Sequence, residues 1–261
     1  MNAGERREEI LQLVRTQGEM SVETLSEMLG VTASTIRRDL AKLTDSGELA
    51  RTYGGVIAVP TESETTLAER SHEAPEIKRA IGSWCAKQVP AGSHVLLDAG
   101  TTTAQIARAL RDTAPLSVVS SGLTSLQQMA DLEEVEFTLL GGRYRPVSQG
   151  FIGPITEAGL EKFTFDFAFL GADAVTAEDG VCEALPEQVR LKELMSRRAT
   201  HVFVVAHAEK LGQRPFHAWA DLGNGWTLVT DDSAEPTQTA PFEDRGITVV
   251  RVDQMGNDRQ N

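Results

Sequence analysis

The chain has 261 residues, a formal net charge of −13 and 41% hydrophobic residues, a length that suits two domains and a composition that suits a folded core. The acidic balance argues against indiscriminate coating of polyanions. No apolar run reaches membrane-spanning length, and the start, MNAGERREEI, is charged where a secretory leader would be apolar, so a cytoplasmic protein with no membrane partner is expected. The two cysteines, Cys85 and Cys182, have no CxxC neighbour and no histidine at ligand spacing; buried inert thiols are expected, with no disulfide, no metal and no cofactor.

The charge is uneven. Residues 1–59 carry seven Lys/Arg against nine Asp/Glu, so most of the acidity lies in the remainder. Within this first segment Ile10, Leu11, Leu13 and Val14 recur at helical spacing and Gly18 stops the run. Ser21 opens SVET, a helix-capping signature, and a second helix runs from about Val22 to Leu29 with Val22, Leu25 and Leu29 inward. Gly30 makes a tight turn, Thr32 caps a third helix, ASTIRRDLAKLTDS, and Gly47 ends it: the order of a helix-turn-helix.

At about 100° per residue, Ile36, Leu40 and Leu43 share one stripe of the third helix, leaving Ser34, Thr35, Arg37, Arg38, Ala41 and Lys42 on the outer arc. Arginines address guanine edges or phosphates, and hydroxyls reach either. The segment ELARTYGGVIAV then reads as two short strands around Gly54 and Gly55, a β-wing that sets Arg51 and Tyr53 toward the backbone or minor groove. Most charged helical faces are merely solvated, but the helix–turn–helix–wing order makes operator DNA the expected partner. The DNA-binding candidates are Ser34, Thr35, Arg37, Arg38, Lys42, Arg51 and Tyr53.

The segment SVETLSEMLGVTASTIRRDLAKLTDSGELARTYGGV closely resembles the N-terminal module of the DeoR family of bacterial transcriptional regulators, carried by "STIRRDL" and "L…R.YGG". The match spans nearly all of residues 1–59, the expected winged helix-turn-helix domain.

Residues 60–75, PTESETTLAERSHEAP, lack apolar periodicity and are bracketed by prolines, so they are read as a linker. From 76 to 261 an α/β domain is expected. A helix with Ile77, Ile81, Trp84, Cys85 and Val89 on one side ends at Pro90. Short β-rich runs then end in small or polar loops: VLL before Asp98, SVVS before Ser121 and Gly122, VEFTLL before Gly141 and Gly142, FAFL before Gly171, VFVV before Ala206, WTLV before Thr230, and ITVVRV. Interleaved helical patterns, notably Leu123 to Asp131 and Pro186 to Thr200, imply a mostly parallel sheet covered on both faces, with its loops converging on one edge.

The stretch HVLLDAGTTTAQIARAL is the centre of this domain: strand, loop, helix. Helix N-termini present unpaired amides and a positive dipole end, so Gly100, Thr101, Thr102 and Thr103 suit an anion; Thr101 or Thr102 as a simple helix cap is the plainer alternative. Asp98 could accept from sugar hydroxyls, while Lys192 and Lys210 add positive charge. With Ser121, Gly122 and Gly141 from neighbouring loops these are the effector-site candidates. No G-x-G-x-x-G, Walker A, nucleophile elbow or HExxH occurs. His207 beside Lys210 is the best acid/base candidate, but a lone histidine after a strand is usually structural, and no catalytic residue is assigned.

The DeoR resemblance extends here through Asp98-Ala99-Gly100-Thr101-Thr102, GGRYRPVSQGFIGP, FDFAFLGAD, the Lys192 helix and Lys210-Leu211-Gly212. It implies a fold similar to ribose-5-phosphate isomerase and coenzyme A transferases, used to sense a phosphorylated sugar or sugar catabolite. Two positions depart from the family pattern: His207 and Glu209 before Lys210, and Gln188, preceded by Glu187, where an acid is usual. The resulting expectation is a repressor of a sugar catabolic operon, self-associating as a dimer or higher homo-oligomer, released from its operator by a sugar phosphate. The alternative is a sugar-phosphate isomerase fused to a DNA-binding domain, for which Asp98 lacks a convincing partner; an activator or nucleoid-like binder is a third reading.

Overall fold

The computed structural model of the chain describes residues 4, 6, 7, 9, 10, 13, 14, 20–45, 49–52, 55–58 and 65–259. They fall into two compact units, divided between residues 64 and 65. Among the described residues, no helix is long and apolar enough to cross a membrane.

In the first unit the described residues between 4 and 14 are helical. Helix α1 (Val22–Leu29) is capped by Ser21, whose hydroxyl accepts from the Thr24 amide at 3.0 Å, and closed by Gly30 at φ 64°. Helix α2 (Ala33–Asp45) follows, Thr32 accepting from the Thr35 amide at 3.4 Å. Strands β1 (Leu49–Arg51) and β2 (Val56–Ala58) pair antiparallel, and Val56 exchanges both backbone hydrogen bonds with Met20 at 2.9 Å. A Cβ on Gly55 would lie 2.2 Å from the Met20 carbonyl oxygen, so only glycine lets the wing close on the segment before α1. Ile10, Val14, Leu25, Ile36, Leu40, Leu43 and Leu49 form the core. The stops read at Gly18 and Gly47, and the wing residues Tyr53 and Gly54, lie outside the described residues.

The second unit begins with a correction. Helix α3 (Leu67–His72) occupies the stretch read as a linker. Thr66 and Glu69 form a reciprocal capping box, Leu67 is buried, and the Leu67 amide donates to the Val147 carbonyl at 2.9 Å. A single buried leucine and a local cap sufficed where apolar periodicity was missing.

Helix α4 (Pro75–Lys87) leads into β3 (His94–Leu97) and α5 (Thr101–Ala109); β4 (Leu116–Ser120), α6 (Leu123–Met129) and β5 (Val135–Leu139) complete one flank. A hairpin, β6 (Arg143–Arg145) and β7 (Gly150–Ile152), precedes α7 (Pro154–Leu160). Strand β8 (Phe165–Leu170), β9 (Ala174–Thr176), β10 (Gly180–Glu183), α8 (Pro186–Arg197), β11 (Ala199–Val205), β12 (Ala218–Ala220), β13 (Thr227–Asp231), α9 (Pro236–Glu243) and β14 (Thr248–Val252) build the other.

Seven strands form one all-parallel sheet in the order β14-β13-β11-β8-β3-β4-β5, while β12, β10 and β9 make a small antiparallel sheet. Consecutive residues alternate between two cores: Val95 and Leu97 join Ile81 and Ile106, whereas Leu96 joins Leu191 and Met195. Both faces are therefore covered, which is why these strands read as continuous apolar runs. The chain runs outward from β3 through β4 and β5 on one side and from β8 through β11, β13 and β14 on the other. The carboxyl ends of β3 and β8 thus form the switch point, where a doubly covered parallel sheet opens a crevice.

Candidate functional site

On the first unit, α2 turns Ile36, Leu40 and Leu43 inward and leaves Ser34, Arg37, Arg38 and Lys42 exposed, with Thr35 half-buried; Arg51 of β1 is exposed. Arg37 stands 3.8 Å from Glu23 with both side chains in solvent, a contact too loose to hold it away from a phosphate. Asp39, between the two arginines and their lysine neighbour, is buried and accepts from Arg6 Nε at 2.7 Å. Asp39 is thereby turned away from the outer face, so the arc that exposes Arg37, Arg38 and Lys42 is cationic. Sequence reading had no signal for the Arg6–Asp39 pair, which joins residues 33 apart.

In the second unit β3 delivers Asp98 to the switch point. Its Oδ1 accepts from the Ala99 amide at 2.7 Å, and its Oδ2 accepts from the Gly171 amide at 3.1 Å and from Lys192 Nζ. Lys192, buried on α8, also donates to the Gly171 carbonyl at 2.7 Å and pairs with buried Glu183 at 3.0 Å. Burial opposes the Lys192 charge, but the two carboxylates outweigh it and hold its pKa above the ordinary lysine value. Burial pushes Glu183 up to about 8, with Asp173 and Asp98 adding to the rise and Lys192 opposing it. Asp98 and Lys192 line the cleft, but their charges are engaged with each other; they shape the loops.

The residues expected to meet an anion follow at the start of α5. Helix α5 starts at Thr101 with Gly100 as N-cap and no side-chain cap, so the reading of Thr101 or Thr102 as a cap is wrong. Thr103 instead turns its hydroxyl back to the Gly100 carbonyl at 3.1 Å, and Thr124 reaches the same oxygen at 3.4 Å. The amides of Thr101, Thr102 and Thr103 find no acceptor among the described residues, and the buried Ser121 Oγ has no hydrogen-bond partner either. A Cβ on Gly150 would lie 2.6 Å from the Ala99 Cβ, so only glycine lets β7 close down on this loop.

The cleft gathers Asp98, Gly100, Thr101, Thr102, Thr103, Ser121, Lys192 and Lys210. Gly122 and Gly141 are not among its lining residues. Gly122 packs against Ala99, and Gly141 is exposed, with its carbonyl accepting from Thr156 at 2.7 Å. Ending a strand was not enough: Gly122 serves close packing on Ala99, and Gly141 faces solvent.

Lining residues that sequence reading missed include Arg70, Ser148, Asp173 and Glu183. Arg70 was hidden inside the presumed linker, where the Thr66–Glu69 capping pattern was the available signal. Gln188, the noted departure, also lines the cleft and donates to Glu183 Oε2 at 2.7 Å; its neighbour Glu187 pairs with Arg143 at 2.9 Å.

Two further cations stand close by. Lys210 Nζ donates to the Ala172 carbonyl at 2.6 Å, and Lys78, 3% exposed, donates to the Arg70 carbonyl; neither makes an ion pair among the described residues. Burial, together with the charges of Lys210 and Arg70, lowers Lys78 to about 8; burial also lowers Lys210. Buried His207 lies outside the cleft lining and is lowered by burial and by Lys210 and Lys78, which makes it a neutral spacer at pH 7. Cys85 and Cys182 are buried free thiols raised by desolvation, Cys182 to about 11.

A helix-turn-helix unit joined to an α/β unit with a polar cleft at the switch point is the build of a DNA-binding regulator. The model of the DeoR-like helix-turn-helix domain matches residues 6–62 and that of the DeoR C terminal sensor domain matches residues 73–232; the chain belongs to the DeoR family. The HTH-type transcriptional regulator GlpR of Haloferax volcanii is 35% identical over 96% of this chain and 98% of its own length. The putative aga operon transcriptional repressor of Escherichia coli O157:H7 is 31% identical over 95% and 93%. The glycerol-3-phosphate regulon repressor of Escherichia coli K12 is 30% identical over 86% and 88%. These relatives are named as regulators, not enzymes. Ribose 5-phosphate isomerase A from Neisseria gonorrhoeae overlaps 51% of this chain and 52% of its own at 15% identity and a TM-score of 0.37, too loose to bear on the site.

Proposed function

We propose that this DeoR-family regulator is a repressor of a sugar catabolic operon and that a phosphorylated sugar or sugar catabolite, bound in the cleft, releases it from operator DNA. The observation that carries this reading is the uncapped start of α5: three amides and the Ser121 hydroxyl, all without acceptors or partners among the described residues, line one cleft where the helix dipole favours an anion. Lys210, half-buried in the cleft lining, and buried Lys78 near it make no ion pair among the described residues and supply countercharge for such a group. The name of one relative, the glycerol-3-phosphate regulon repressor, supports the same ligand class. Gly100, Thr101, Thr102, Thr103, Ser121 and Lys210 are the proposed effector contacts, with the Asp98–Lys192 pair shaping the loops that carry them. Ser34, Thr35, Arg37, Arg38, Lys42, Arg51 and Tyr53 are the proposed DNA contacts. Release requires only that the ligand bind the DNA-free arrangement more tightly.

A thermal-shift screen against triose, pentose and hexose phosphates tests this, because a ligand of the folded state raises its apparent stability. At least one sugar phosphate should stabilise the protein and weaken its DNA complex. Thr101→Asp, which places a carboxylate in the anion site, should abolish both responses and leave DNA binding intact. Unchanged responses in that variant place the phosphate elsewhere.

A further inference from the structure

Three consecutive residues after β8 are each gripped by a cation from a different element: Gly171 by Lys192 of α8, Ala172 by Lys210, and Asp173 by Arg70 of α3. Arg70 differs from the other two in where it comes from. It sits six residues into the second unit, on the first helix described after the DNA-binding unit.

That helix is built into the wall of the cleft. The Leu67 amide donates to the Val147 carbonyl, and Arg70 Nη2 donates to the same oxygen at 3.4 Å while Nη1 reaches Asp173 Oδ1 at 3.3 Å. Of the arginine's contacts, these two are long beside the about 2.7–2.9 Å of a well-formed charge-assisted hydrogen bond. Arg70 and Asp173 both line the cleft that contains Thr101 to Thr103, and the Arg70 carbonyl is held by Lys78. Side chain and backbone of one residue therefore meet the cleft and its nearby cations.

We propose that Arg70 is the residue through which cleft occupancy reaches the DNA-binding unit: an oxyanion of the ligand draws the guanidinium into shorter, charge-assisted hydrogen bonds and tightens α3 on the loops at Val147 and Asp173. The chain leading back to the DNA-binding unit is thereby restrained in the ligand-bound form, which biases the arrangement of the DNA-reading helices. Occupancy is read at the covalent junction of the two units, with no further contact required. Arg70 acts here as a positioning residue. The inference rests on the anion reading of the cleft and adds the route by which that anion is sensed.

The test is amide hydrogen exchange on the full chain, alone and saturated with inorganic phosphate or glycerol 3-phosphate, alongside ligand titration of its complex with DNA selected from a random pool. In the unsubstituted protein, ligand should slow exchange both at residues 101–104 and at residues 67–72. In Arg70→Gln, with Arg70→Ala as a second variant, residues 101–104 should still respond while 67–72 no longer do. The ligand concentration that half-releases DNA should rise about tenfold, within the usual range of allosteric coupling, and by clearly more than the ligand's own Kd at the cleft, which rises only by the loss of the Arg70 hydrogen bond. A response at 101–104 without one at 67–72 in the unsubstituted protein overturns the proposal and leaves the anion site standing. So does release at an unchanged concentration in a folded Arg70 variant, or a parallel loss of binding and release. Absence of any response at 101–104 to either compound overturns the anion reading itself.

Discussion

Glu183 shows how a single buried group ties stability to pH. Its carboxyl titrates at about 8 in the folded protein against 4.5 ordinarily, chiefly because burial disfavours its charge. Between those two values the native state holds a proton that the unfolded chain has released, so folding stability falls as pH rises across this window. Urea unfolding from pH 5 to pH 9 should show that decline for the second unit, and Glu183→Gln should flatten it; an equally steep decline in the variant would assign it to another group. Arg38 carries the corresponding prediction for DNA. Exposed on α2 with no ion pair among the described residues, it is free to contact a base or phosphate, and Arg38→Ala should weaken specific DNA binding by about 1–3 kcal/mol in a mobility shift. Its ligand-induced thermal shift should be unchanged. The residue types at both places were legible in the sequence, but their environments were not. Lys192 was read as a cation available to a ligand, and the fold spends that charge on Asp98 and Glu183, residues 94 and 9 positions away.

At the scale of elements, the ones with strong local signals were recovered from sequence: α1 and α2 with their Ser21 and Thr32 caps, the wing strands, α4, and the parallel strands of continuous apolar character. Helix α3 was missed because six residues give too short a window for periodicity, and its main signal, the Thr66–Glu69 box, lay between charged and polar neighbours. That box should contribute about 1 kcal/mol, so Thr66→Ala should lower the unfolding midpoint modestly. If α3 carries the ligand signal, the same substitution should also raise the ligand concentration needed to release DNA. A midpoint and a release curve that both match the parent protein would show that this helix is held by Leu67 and Arg70 alone.

At the scale of the whole molecule, one small reading unit offers few base contacts, and paired half-sites multiply affinity. The protein should therefore self-associate as a dimer or higher homo-oligomer and bind DNA carrying two half-sites far more tightly than DNA carrying one. Sedimentation with each DNA checks this, and equal affinities at monomer stoichiometry would refute it. The acidity outside residues 1–59 should keep the remainder of the chain off DNA, so that affinity depends on the α2 face and falls steeply with salt. Sequence by itself determined the two-unit order, the class of each unit and the loop at Gly100–Thr103, because helix caps, apolar periods and strand-ending glycines are local signals. Only the tertiary structure decided which strand-ending loops meet. Strand order put β8 beside β3, which brought Gly171 onto Asp98 and excluded Gly141 from the cleft, and helix packing placed Arg70 against Asp173, 103 residues away. Such long-range pairings leave no local trace in composition or spacing, since each partner is chosen by the sheet and the helices that carry it.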